Sequence, residues 1–219
     1  MRDATGGLVR RFEGGTPGGP AAVEDPTMRR APAPRPGAVR LPAAAGVHRI
    51  RWDLTHPGAL GDSGVADERG GPMVRPGSYT LRLTADDVAV EQPLVVLADP
   101  RLAPTGVTAA DINAHTGLTQ QVRDQRGAAR VLAGKLKARR EALRTAGDTA
   151  AVARVEALLA ALETAPGRYQ QPMLIAQIQY LYGMLTQADQ RPGRDAYARF
   201  AELDVQLKDL TRRSVEVVP

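Results

Sequence analysis

The chain has 219 residues, of which 43% are apolar and only 4% aromatic, and it carries a net charge of +5 and no cysteine. This length is enough for one large domain or two smaller ones, while the lack of cysteine excludes disulfides, thiol catalysis and cysteine-bound zinc. The arginines are scattered and no nucleic-acid recognition motif accompanies them, so the charge does not favour a nucleic-acid partner.

The N-terminal sequence MRDATGGLVRRFEGG lacks the apolar run of about 7–15 residues that a secretory signal needs. No other stretch approaches the roughly 20 apolar residues of a membrane helix. We therefore expect neither a signal peptide nor a membrane span in this chain, and the sequence leaves its compartment open.

Residues 1–102 contain most of the glycines and prolines together with short alternating stretches, which predicts a small antiparallel β-sandwich. The glycine- and proline-rich stretch 13–45 is expected to form a long irregular loop, and 55–75 a shorter one. The four predicted strands are 8–12, 47–54, 78–85 and 91–99.

Apolar and polar side chains alternate along the third predicted strand, SYTLRLTA. Alternation with a period of two places Tyr79, Leu81 and Leu83 on one face of that strand. We expect these three side chains to form the core of the sandwich together with Trp52 and Val95.

The stretch GVHRIRWDLTHPG raises the question of a catalytic or metal site, because histidines and an aspartate surround its tryptophan. If 47–54 is a strand, His48 shares the face of Trp52 while Asp53 points the opposite way, so the two side chains do not converge. His56 lies beyond the strand, and the third histidine, His115, belongs to the second half of the chain. We therefore interpret Trp52 as a packing residue and not as part of a site.

No other stretch supplies a complete set of catalytic groups. Ser63 in GDSGV resembles the surroundings of a serine-protease nucleophile, but no histidine is placed beside it, so we interpret it as a loop serine. The glycines of GGTPGG and RGGP do not lie between a strand and a helix, as those of a phosphate-binding loop must. We predict no catalytic residue, no cofactor and no metal, so the chain by itself is not expected to be an enzyme.

Residues 105–214 predict an antiparallel helical bundle. Thr108 followed by Asp111 predicts a capped helix start, and apolar residues then recur at helical spacing through four segments joined by short connections. Gly183, inside the third predicted helix, is expected to mark a close approach of two helices. The apolar stripes place in the bundle core Ile178, Leu181, Leu185, Phe200 and Leu203.

Six short motifs carry a resemblance to a known family: RWDL at 51–54, PGSYTLRL at 76–83, DPR at 99–101, and QPM, YLYGML and PGRDAY within 171–197. The chain resembles the C-terminal region of bacterial sortilin-like BNR-repeat β-propeller proteins, which are often labelled glycosyl hydrolases. In that family the propeller is followed by an immunoglobulin-like β-sandwich and a helical bundle. The resemblance implies the same α+β arrangement here, and any glycosidase activity would belong to the propeller, which this chain lacks.

The resemblance also implies a function. We expect a non-catalytic accessory module that stabilises, spaces or docks a propeller, with full-length relatives outside the cytoplasm. The alternative is a carbohydrate-binding module, because β-sandwiches often hold sugars on aromatic side chains. A third reading, an enzyme, would need measurable turnover of a glycoside by the chain alone.

The first predicted hairpin is short on its incoming side, with residues 1–4 before the turn and 8–12 after it, whereas paired strands usually have about 5–6 residues each. A shortened first strand leaves backbone groups of its neighbour unpaired, and such an edge accepts another strand by β-augmentation. The expected partner is a propeller-bearing polypeptide or domain, with weak self-association as a second outcome. In the remaining alternative, the loop 13–45 folds back over the edge.

Overall fold

The computed structural model describes residues 1–14, 40–42, 44, 46–67 and 69–217. They form a small antiparallel sheet followed by four helices, which confirms the α+β prediction at this coarse level. Most of the predicted loop 13–45 lies outside the described residues. The strands are β1 (Arg2–Asp3), β2 (Glu13–Gly14), β3 (Arg40–Leu41), β4 (Gly77–Ala85) and β5 (Val88–Val96), and the helices are α1 (Ala109–Thr145), α2 (Thr149–Leu162), α3 (Leu174–Leu185) and α4 (Arg194–Ser214).

The sheet is dominated by the long hairpin of β4 and β5, and its strand order is β1-β4-β5. A two-residue connection joins β4 to β5, and its first residue, Asp86, adopts a positive φ of 49°. The two-residue strands β2 and β3 pair with each other in parallel. Within the described residues, no second antiparallel sheet packs on the hairpin, so they do not show a sandwich.

The predicted strand 47–54 is wrong, because residues 47–53 are irregular. The chain turns directly after Trp52: the Asp53 carboxylate accepts a hydrogen bond from the backbone N–H of Thr55 (3.2 Å), and Leu54 has a φ of 58°. An aspartate that binds the backbone two residues ahead competes with strand pairing. The predicted strand 8–12 is likewise reduced to one bridge, between Leu8 and Arg2.

The β part has a small core of Val9, Val74, Tyr79 and Val96, with Trp52, Leu54 and Leu94 packed against it. Trp52 meets Tyr79 edge to face, with ring centroids 6.3 Å apart. The placement of Leu81, Leu83 and Val95 in this core is wrong, because all three are exposed. Val95 lies on the opposite face, across from Ser78, while Leu81 and Leu83 extend beyond the part of the hairpin that Trp52 covers.

The bundle begins as its sequence predicts. The Thr108 hydroxyl accepts from the N–H of Asp111 (3.2 Å), while the Asp111 carboxylate accepts from the N–H of Thr108 (3.0 Å). The four helices bury one apolar cluster, as amphipathic helices do when their stripes meet. Ile178, Leu181, Leu185 and Leu203 are buried in this cluster, and Phe200 is partly buried against it.

The segment 55–75 joins the β part to the bundle. It folds back on itself, because the N–H of His56 donates to the Pro72 carbonyl (2.9 Å), and it then lies along α1. Gly127 and Gly134 of α1 permit this contact, because neither has a side chain. A Cβ at Gly127 would lie 2.9 Å from the backbone nitrogen of Leu60. In turn, the Tyr182 hydroxyl donates to the carbonyl of Gly70 (2.6 Å).

Candidate functional site

The outer half of one hairpin face carries apolar side chains that no other described residue buries. Cross-strand pairing places Leu83 opposite Val90 and Ala85 opposite Val88, so these side chains share one face with Tyr79. Leu83 and Val90 are 57% and 51% exposed. We call this surface the distal face; its members are Leu81, Leu83, Ala85, Val88 and Val90.

The opposite face of the same hairpin is polar. It contains Arg82 and Glu91, whose side chains form an ion pair at 3.6 Å, and Thr84. The two acidic residues Asp86 and Asp87 form its tip. The outer half of the hairpin is therefore amphipathic, whereas the inner half of this second face carries Pro93 and the exposed Val95.

Beside the distal face, one edge of β4 is only partly paired among the described residues. β1 pairs only with Tyr79 and Thr80, in the register Arg2 to Thr80 and Asp3 to Tyr79. The remaining residues of β4, Leu81–Ala85, pair with β5 on one side only. Among the described residues, β1 thus covers only two positions of β4, and the expected pairing of this edge with another polypeptide stays a prediction.

The three histidines do not assemble into a site. His48 is exposed and bonds a backbone carbonyl four residues before it, whereas His115 is buried and bonds the carbonyl of Leu185 (2.7 Å). His56 lies between 55–75 and α1, with its Nε2 2.8 Å from Nε2 of Gln120. Within the described ranges no three metal-binding side chains of His, Asp or Glu cluster together, and no helix could cross a membrane.

Charges surround His56 in this contact. Burial, followed by the guanidinium groups of Arg123 and Arg75, holds the pKa of His56 below its usual value. The carboxylates of Asp3 and Asp124 act in the opposite direction but do not outweigh burial. The neutral imidazole thus fits a place where an added positive charge would be unfavourable.

A groove lies between α3 and the start of α4, with a volume of about 820 Å³. Tyr180 and Met184 line it and are exposed. Arg199 also lines it and donates to the amide oxygen of Gln177 (2.6 Å). The groove therefore combines an aromatic side chain with polar groups.

The sequence interpretation missed two of these features. It placed Leu81 and Leu83 of the distal face in a core, because alternation indicates which side chains share a face and not whether anything covers that face. It also missed the contact of 55–75 with α1, although Gly127 and Gly134 stand seven residues apart in an otherwise strong helical pattern. Two helical glycines at that spacing lie on one side of a helix, which is a signal for close backbone approach.

Comparison of the chain with models of known protein families, with curated proteins and with solved structures finds no match. The resemblance to the C-terminal region of sortilin-like propeller proteins therefore stays a prediction, and the function must be argued from the surfaces of this chain.

Proposed function

We propose that this chain is a non-catalytic accessory module that docks another protein through the distal face of its β4–β5 hairpin. The observation that carries the proposal is the exposed apolar half of a face whose other half is packed. Contiguous apolar surface next to a polar opposite face is typical of a protein-interaction site. Covering Leu83 and Val90 would remove both side chains from water, which favours association.

The resemblance supplies the identity of the partner in this proposal: a propeller-bearing polypeptide or domain, which the module stabilises, spaces or docks. An immunoglobulin-like sandwich needs a second layer on the hairpin. In our proposal that layer is completed when the partner covers the distal face. The chain itself contributes binding and no chemical step.

A photo-crosslinking residue in place of Leu83 tests this proposal in cells of the source organism. We expect the crosslinked protein to contain a β-propeller and the yield to fall strongly when Val90→Glu is added, because a charge cannot be buried unpaired in an apolar contact. Val205 on α4 is an apolar control position that is at least as exposed as Leu83, and it should give no such product. A crosslinked protein without a propeller, or no product specific to Leu83, contradicts the proposal.

A carbohydrate-binding module is a second candidate, favoured by Tyr180 in the groove of α3 and α4. An exposed ring beside polar groups such as Gln177 and Arg199 is the kind of surface on which a sugar can stack and form hydrogen bonds. A glycan array distinguishes the candidates: binding that is lost in Tyr180→Ala and kept in Tyr169→Ala would favour this one. Tyr169 is fully exposed outside the groove and serves as the matched control.

A further inference from the structure

We propose that the open edge of β4, Arg82–Ala85, pairs with an extended strand of the partner polypeptide, antiparallel to β4 and in line with β1. This inference rests on the proposed docking function and specifies how the partner binds. It follows from the register of the sheet, the direction of the unpaired backbone groups and the side chains that flank them.

The register of the incoming strand is set by β1. Arg2 pairs with Thr80 and Asp3 with Tyr79, so each step backward along β1 is a step forward along β4. A strand that continues this line in front of β1 therefore meets Arg82 first and Ala85 last. In this register Met1 falls opposite Leu81, so the four positions Arg82–Ala85 remain before the hairpin turn for a short strand segment.

The hydrogen bonds of the hairpin show which groups face this edge. Ala85 and Val88 close a two-residue connection, so they form a hydrogen-bonded pair, and such pairs alternate with non-hydrogen-bonded ones along an antiparallel ladder. Thr84 and Arg82 therefore stand at non-hydrogen-bonded positions relative to β5. Their N–H and C=O groups point to the open edge and can form four hydrogen bonds with an added strand.

The opposite edge of the sheet is less suited to pairing. Pro93 of β5 pairs with Thr80, a non-hydrogen-bonded position by the same alternation, so its ring nitrogen faces outward. A proline there has no N–H to offer an incoming strand and is a common protection of edge strands. Of the two outer edges of the hairpin, the edge of β4 is therefore better suited to accept a strand than the edge of β5.

The flanking side chains define the chemistry of that strand. Its residues opposite Ala85 and Leu83 would lie on the distal face, so they should be apolar, whereas the residue opposite Arg82 would lie beside a guanidinium and should be acidic. From its N-terminus, the partner strand therefore has four successive residues: an apolar residue, a residue of any type, a second apolar residue and an acidic residue. Pairing would thus extend the distal face sideways and add main-chain hydrogen bonds to it.

A tethered probe tests the register directly. The full chain is extended before Met1 by Val-Thr-Val-Glu, which places valines opposite Ala85 and Leu83 and the glutamate opposite Arg82. The control extension, Thr-Val-Glu-Val, has the same composition and reverses the faces. We expect amide hydrogen exchange at Arg82 and Thr84 to slow at least roughly tenfold with the first extension and much less with the control, about the effect of gaining one hydrogen bond. Equal exchange with both extensions overturns the register.

Two proline variants then connect the edge to the partner. Thr84→Pro removes an outward N–H from β4, and Ala89→Pro removes one from the opposite edge at the same cross-strand pair, so both leave the β4–β5 ladder intact. We expect crosslinking from position 83 to the propeller protein to fall about tenfold in Thr84→Pro, because the edge loses a hydrogen bond. The Val-Thr-Val-Glu extension should lower it in the same way, because it occupies the edge itself. Ala89→Pro should leave crosslinking unchanged.

The outcomes separate the two proposals. Unchanged crosslinking to a propeller protein in Thr84→Pro overturns edge pairing while docking stands. Absence of any propeller product from the unaltered chain overturns docking itself. Crosslinking of two copies of this chain that is lost in Thr84→Pro would show that the strand comes from a second copy and not from the partner, which also overturns this inference.

Discussion

The carbonyl oxygen of Asp62 occupies the space where a side chain at Gly134 would begin: a Cβ there would lie 2.1 Å from that oxygen. The Asp62 carboxylate also pairs with Arg130 (3.2 Å) and Lys137 (2.9 Å), one turn to either side of the glycine. The segment 55–75 thus approaches α1 through its backbone and is held there by charge.

Gly134→Ala is expected to destabilise the chain by about 1–3 kcal/mol, because the loop backbone must move away from α1. Gly183→Ala is the matched control, since no atom of the described residues lies within 4 Å of a Cβ there, and these residues do not show the close helix approach expected at Gly183. Alanine should stabilise α3 at that position by roughly 0.5–1 kcal/mol. Urea unfolding of both variants measures the difference, and equal effects would contradict the contact.

The lowered pKa of His56 predicts a loss of stability in mild acid. The unfolded state binds the proton more readily than the folded state, so this contribution is complete above the unfolded value of about 6.5 and is lost as pH falls through the folded pKa. His56→Gln removes the titrating group and should reduce the loss of stability as the pH falls below about 6.5.

The control for that profile is His48→Gln, which removes a histidine that is exposed and bonded to a nearby carbonyl. We expect it to leave the acid loss of stability as in the unaltered chain. Thermal unfolding across the pH range measures both variants. An unchanged slope in His56→Gln would show that other groups cause the acid sensitivity.

Gln125 is 5% exposed on α1, and its amide nitrogen donates to the carbonyl of Phe200 at 3.3 Å. Its Oε1 accepts no hydrogen bond from the described residues. Gln125→Met removes this buried acceptor with little change in volume, so it should be neutral or stabilise the chain by about 1 kcal/mol. Gln179→Met on the exposed side of α3 should change little, and a clear loss of stability in Gln125→Met alone would show that the amide is satisfied in solution.

Local signals in the sequence predicted the helices and the long hairpin, while the surroundings of the hairpin needed the structure. Thr108 and Asp111 cap a helix through contacts three residues apart, so a short motif is sufficient. Whether Leu83 is covered depends on residues far away in the chain, which alternation does not encode. The turn at Leu54 shows the reverse case, in which a local Asp53 contact overrides an apparent strand pattern.

Because the distal face is exposed, substitutions on it should have little effect on the free energy of unfolding. Leu83→Thr keeps a strand-favouring residue on an exposed position, so it should change the free energy of unfolding by less than about 1 kcal/mol. Leu203→Ala, in the fully buried bundle core, should cost about 2–5 kcal/mol. Chemical denaturation of the two variants compares them directly. A cost for Leu83→Thr as large as that for Leu203→Ala would mean that the isolated chain already covers this face, and the surface on which docking depends would not be available to a partner.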